Sequence, residues 1–248
     1  MTYETELSPS TQRSFKASVR EARMAVSRVL LTCELPSGFV HAVTETILLS
    51  QAAGLSGFKG LTADYALLDM SGHSGVELHD IEPGSFRFNA NGLHAWLVAP
   101  TLMDLLVDEA RKSGSAKAEV LNVQRISELN VLMSLAARYG AVAVVSAVPG
   151  QEDAVTIQLT NTSFPRTSEQ WDPLLDAAIR GGFPMEASDW WEVYELSNRA
   201  LAPDSVLSRR HAGPVIMLDD GSIQGRLPED DDFDPAMLKS VSANPEAK

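Results

Sequence analysis

The chain has 248 residues, 44% of them hydrophobic, which suffices for a full core in one large domain or two modest ones. Its net charge of −13 and pI of about 4.8 argue against nucleic acid or an anionic membrane as partner, since either needs a basic surface to offset phosphate. The single cysteine, Cys33, excludes an internal disulfide and a cysteine-ligated zinc site, and among Leu30, Leu31 and Leu35 it reads as a small buried hydrophobe.

The first residues, MTYETELSPSTQRSF, are polar and hold no signal-peptide core. No apolar run approaches the roughly 20 residues a bilayer span needs, so a cytoplasmic protein is expected. Ser10 or Thr11 is expected to cap a helix running to Thr32, with Phe15, Val19, Ala22, Val26 and Val29 inward. Pro36-Ser37-Gly38 turns the chain into a second helix over 39–53, which makes residues 10–70 a helical hairpin subdomain. Three glycines in GLSGFKG, residues 54–60, interrupt it, either as a connector or as an anion cradle with Lys59. A short helix is expected over 63–69, and 72–92 reads as polar loop with brief β signals at 76–78 and 86–88.

The most legible stretch is Leu93 to Ala147. Pro100 fits the first turn of a helix whose apolar face is Leu102, Leu105, Leu106 and Ala110. Arg111 and Lys112 suit its C-terminal dipole, and Gly114 its left-handed cap. A strand over 118–123 follows, then a helix with Ile126, Leu129, Met133 and Ala137 inward. The run at 141–148 is apolar throughout, as for a strand covered on both faces. Ala154 to Leu159 alternates like a half-exposed strand. Helices are expected over 174–181 and, capped by Ser188-Asp189, to Ala200; a strand over 215–218 ends at a turn. From Leu227 the tail is acidic, then polar, and is expected to be disordered. The reading is an α/β fold: a helical N-terminal hairpin packed on a mixed sheet, as one domain over 1–226, with a flexible acidic tail over 227–248.

Few patterns carry chemistry. Both standard phosphate loops and the G-x-S-x-G elbow are absent. EDDDFD fails as a calcium loop, because counting from Asp230 the required glycine and glutamate are Pro235 and Val241. His73 and His79 flank HSGVELHD with Asp80 beside them, but their spacing matches no metal-ligand pattern, so neither a metal nor a cofactor is expected. His41 and Glu45 stand four apart on one helix face. Arg209, Arg210 and His211 form a basic cluster in SRRHAG; it either clamps an acidic small molecule or is tied to the protein's own acids.

Two resemblances rest on these residues. Trp190 or Trp191, Pro203, Ser205, Ser208, Arg209, Gly213, Asp219 and Asp220 resemble the closing motif of a bacterial family known only as domain of unknown function 3726, which implies no activity. Residues 15–147 are similar, more weakly, to the second, non-Rossmann kind of malate and L-lactate dehydrogenase. There N-V-Q-R stands where that family has N-S-N-H before a helix and an apolar strand. The resemblance puts Lys59 where one catalytic histidine is expected and Arg125 near the other, in a chain lacking much of the nicotinamide-binding portion. Arginine does not titrate near neutrality, and Lys59 would do so only if burial lowered its pKa, so hydride transfer is not expected. The leading reading is a non-enzymatic or accessory protein that binds a carboxylate metabolite through Asn122, Arg125, Arg209 and His211. The alternatives are an enzyme on small hydroxy or amino acids using Lys59, His73 or His79, and a subunit of a homo- or hetero-oligomer docking through the Trp190-Trp191 helix.

Overall fold

A computed structural model describes residues 14–70, 75–162, 172–201, 215–220 and 223–225. The chain divides into two compact units, Met1–Ala200 and Leu201–Lys248. His73, Arg209, His211 and the tail over 227–248 lie outside the described residues.

The first unit opens differently from expectation. Ser14–Ala17 form a short strand, β1, and the first helix, α1, spans only Val19–Leu31. The cap is Ser18, which forms a capping box: its hydroxyl accepts from the Glu21 amide at 3.2 Å while the Glu21 carboxylate accepts from the Ser18 amide at 3.0 Å. That reciprocal pair outcompetes the lone hydroxyls of Ser10 and Thr11. The residues before it pair instead with β7 (Phe183–Glu186), antiparallel. Gly182 makes this pairing possible. It has φ +72°, and a Cβ there would lie 2.9 Å from the Ala17 carbonyl oxygen.

Helix α2, Ser37–Ala52, packs on α1 and completes the expected hairpin. GLSGFKG is not a plain connector: Gly57–Ala63 form a short helix, α3, followed by a 3-10 turn over Tyr65–Leu68. Strands β2 (Glu77–Glu82), β3 (Ser85–Asn89), β4 (Ser115–Leu121), β5 (Ala141–Val148) and β6 (Gln151–Asn161) form one mixed sheet in the order β2-β3-β4-β6-β5. Only β3 and β4 run parallel, joined by helix α4, Ala95–Ser113. Phe86, Phe88, Ala118, Val120, Ile157 and Leu159 line the sheet's buried face, on which α4 and α5 (Val131–Ala137) pack. α2 in turn packs on α4 and α5. The fold is therefore the expected α/β class.

Three readings of this layer need correction. Pro100 lies inside α4, whose cap is His94, so the helix begins well before the proline. The helix expected from Ile126 starts as a 3-10 turn, Ile126–Asn130. β5 is an edge strand, not one covered on both faces: Val142 and Val144 are 54% and 53% exposed while Ala141 and Ala143 are buried. Valine on the open face and alanine on the covered one made an alternating strand look uniformly apolar. α6 (Pro173–Gly181) and α7 (Ala187–Asn198) close the unit, and α7 packs on α1 and α3. In the second unit β8 (Val215–Met217) pairs antiparallel with β9 (Ile223–Gly225), a partner strand the sequence reading did not find. Among the described residues no helix is long and apolar enough to cross a membrane.

Candidate functional site

The polar groups that converge are Asp64, His94, Arg125 and Glu128, where the end of α3, the start of α4 and the N-V-Q-R loop meet. The loop is held by backbone bonds. The Ala95 amide donates to the Gln124 carbonyl at 2.9 Å, and the Gln124 amide to the Leu93 carbonyl at 3.0 Å. Asn122 and Arg125, at φ +55° and +57°, bracket that bridge in the left-handed region. Asparagine tolerates this conformation well; an arginine held there carries strain of about 1–3 kcal/mol, which surrounding contacts must impose.

Those contacts are with Asp64, a nearly buried carboxylate. Arg125 Nε lies 2.9 Å from both Asp64 oxygens, and Nη2 also bonds to Oδ1. The Arg125 side chain remains 56% exposed, so one edge of the guanidinium is fixed to the protein while the rest is open to solvent. These bonds raise the Arg125 pKa further, and the group stays a cation at every working pH. Asn122 donates from Nδ2 to Asn89 Oδ1 at 2.9 Å, so its amide orients the loop.

Behind Arg125 lies His94, fully buried. Its Nδ1 accepts from the Trp96 backbone amide at 3.1 Å, which caps α4 and places the neutral ring's proton on Nε2. Nε2 has no hydrogen-bond partner and faces Asp64 Oδ2 at 3.6 Å, a separation that allows attraction but not a hydrogen bond. Burial pushes the imidazole below its ordinary pKa, against the opposing pull of the Asp64 and Glu128 carboxylates. Glu128, also buried, collects three donors: Ser50 Oγ at 2.6 Å, Trp96 Nε1 at 2.9 Å and the Ser56 amide at 3.0 Å. It ties α2, α3 and α4 together under the site.

The structure brings together only part of the predicted set. Arg125 and Asn122 stand in one loop. Lys59 is exposed on α3, so the burial its catalytic reading requires is absent. His79 sits in β2 rather than a loop, exposed, 3.9 Å from Glu77. His41 is not the partner of Glu45, which pairs with Arg23 at 2.6 Å. Among the described residues no group of three or more histidine, cysteine, aspartate or glutamate side chains could hold a metal. Cys33 is buried, and burial pushes its thiol up to about 11. The two tryptophans part: Trp190 is buried with its ring 5.6 Å from that of Phe15, while Trp191 is 54% exposed against Tyr194. Asp64, His94 and Glu128 were missed. The available signal was a lone histidine opening the apolar run Leu93–Ala99.

No model of a known protein family matches the chain, and neither does any curated protein. The resemblance to domain of unknown function 3726 therefore gains no support. Solved structures do match in fold. A dehydrogenase from Sinorhizobium meliloti aligns at a TM-score of 0.57 and 10% identity, over 75% of this chain and 100% of that one. Malate dehydrogenase from Pyrococcus horikoshii aligns at 0.57 and 8%, over 77% of this chain and 97% of that one. The alignments span nearly all of both neighbours. At these identities the shared property is the fold alone, a mixed α/β architecture.

Proposed function

We propose that this chain binds a small carboxylate of the hydroxy-acid class at the solvent-facing edge of Arg125, and that it does so without transferring hydride. The carrying observation is the clamp of Arg125 on buried Asp64. It fixes a planar guanidinium at the protein surface before any ligand arrives, and a pre-oriented fork loses little entropy when it takes a carboxylate. The fold neighbours support the ligand class, since one is a malate dehydrogenase and malate is a hydroxy acid. Proton transfer is disfavoured by the same geometry. Oxidising a hydroxy acid requires a group that accepts the hydroxyl proton; Arg125 stays protonated, and His94 is fully buried with its proton directed at Asp64. Arg209 and His211, which lie outside the described residues, are proposed as anion contacts on their sequence alone and independently of the Arg125 site.

The test is a thermal-shift panel of L-malate, L-lactate, amino acids, keto acids, divalent metals and nicotinamide cofactors on the full chain. A ligand at 100 times its Kd adds about 2.7 kcal/mol of stability. A hydroxy-acid shift that is absent in Arg125→Lys, with no nicotinamide turnover, supports the reading. A nicotinamide shift with turnover restores the dehydrogenase. A second reading, a subunit docking through α7, is favoured by the exposed Trp191–Tyr194 pair.

A further inference from the structure

β5 ends the five-stranded sheet, and among the described residues only β6 pairs with it. Edge strands in soluble proteins carry devices against pairing: lysine, proline, an inward charge, a bulge or short length. β5 lacks most of these. Ala141–Val148 reads AVAVVSAV, with no charged residue and no proline, and eight residues is long for an edge. Its register with β6 is regular from Ala141 to Ala147, and the one irregularity falls after Ala147, at the strand's end. By contrast β2, the opposite edge, has Glu77, His79, Asp80 and Glu82 along it, and its register shifts within the strand. Among the described residues, one edge of the sheet is thus protected and the other left open.

We infer that β5 pairs antiparallel with β5 of a second copy, joining two sheets into one ten-stranded sheet across a two-fold axis. The charge distribution selects this occupant. A net charge of −13 sets copies of the chain against one another, which favours an uncharged strip for a self-contact, and β5 with the following Pro149-Gly150 is one. An isologous contact requires the strip to be complementary to itself, and an Ala/Val strand is. The regular ladder Ala141–Ala147 is centred on Val144. Antiparallel pairing about that residue sets Val144 against Val144 of the copy and Val142 against Ser146, with all four on the open face. Val144 would then be flanked by its own copy and Val142 by Ser146, and the strand's free backbone groups would be bonded.

The experiment is sedimentation of the full chain over a range of concentrations, with the variant Val142→Lys/Val144→Lys beside it. Both valines are exposed, so the fold tolerates the change, and far-UV circular dichroism checks it. A concentration-dependent dimer in the parent chain and a monomer in the variant are expected. Oxidation of Val144→Cys should cross-link the dimer, because residue 144 meets itself at the axis, whereas Met133→Cys, exposed on α5, should not. A parent chain that is monomeric at every concentration overturns the inference. So does a dimer that persists in the double-lysine variant.

Discussion

Glu128→Ala removes the acceptor on which three donors converge. The Ser50 hydroxyl, the Trp96 indole N–H and the Ser56 amide lie 2.6, 2.9 and 3.0 Å from the carboxylate. Each stranded buried donor costs about 1–3 kcal/mol. Ser50 lies in α2 and can turn its O–H to the backbone carbonyl one turn back, recovering part of its loss while still accepting from the Gly57 amide at 3.2 Å. The expected destabilisation is therefore about 3–5 kcal/mol. For a chain of this size that is a fall in Tm of roughly 6–20 °C. Glu128→Gln makes the sharper comparison. Its amide oxygen can keep Ser50 and Trp96, but its NH2 then opposes the Ser56 amide, donor to donor. One charge-assisted bond is lost rather than three, and the cost should be about 1–3 kcal/mol. Urea unfolding followed by far-UV circular dichroism measures both. If Glu128→Ala cost less than about 1 kcal/mol, or no more than the glutamine variant, the carboxylate would not be the tie between α2, α3 and α4 described above.

Two further consequences are open to measurement. His94 has a folded-state pKa below its ordinary value of 6.5, so below that pH the unfolded chain binds a proton that the folded chain resists. This contribution to stability is complete above the unfolded value and declines as pH falls below it. The urea midpoint of His94→Asn, which keeps a side-chain cap for α4, should depend less on pH between 5 and 7 than that of the parent; equal slopes would refute the assignment. Gly182→Ala places a Cβ at φ +72° and 2.9 Å from the Ala17 carbonyl oxygen, and should cost about 1–3 kcal/mol by loosening β1 from β7. An unchanged urea midpoint would show that the β1–β7 pairing does not depend on this approach.

The sequence revealed elements wherever one face of a segment differed from the other. α4 after its first turn, β6 and α7 all have a clear apolar face, and α2 is an apolar run buried on most sides. It misled where a local contact outweighed pattern. The start of α1 was decided by Ser18 and Glu21, three residues apart, against equally plausible caps upstream. The start of α4 was decided by an imidazole acting as cap, a role rarely assigned to histidine. β5 misled because alanine and valine count alike as apolar, although one lies under helices and the other faces water. At the site, Arg125 and Asn122 stood out because N-V-Q-R sits between two legible elements. Asp64, His94 and Glu128 did not, since their roles depend on three segments meeting. Asp64 and Arg125 are 61 residues apart in sequence, and Ser50 and Glu128 are 78 apart. No local pattern encodes such pairs.

The role proposed for Arg125, held by Asp64, is that of a carboxylate fork. Calorimetric titration of L-malate into the parent chain and into Arg125→Lys tests it most directly. The lysine keeps the charge opposite Asp64 but not the planar pair of donors. Saturable binding to the parent chain and a loss of at least about tenfold in the variant, about 1.4 kcal/mol, are expected. Equal affinity in the two proteins, or no binding of malate, lactate or any related acid to the parent, would contradict it.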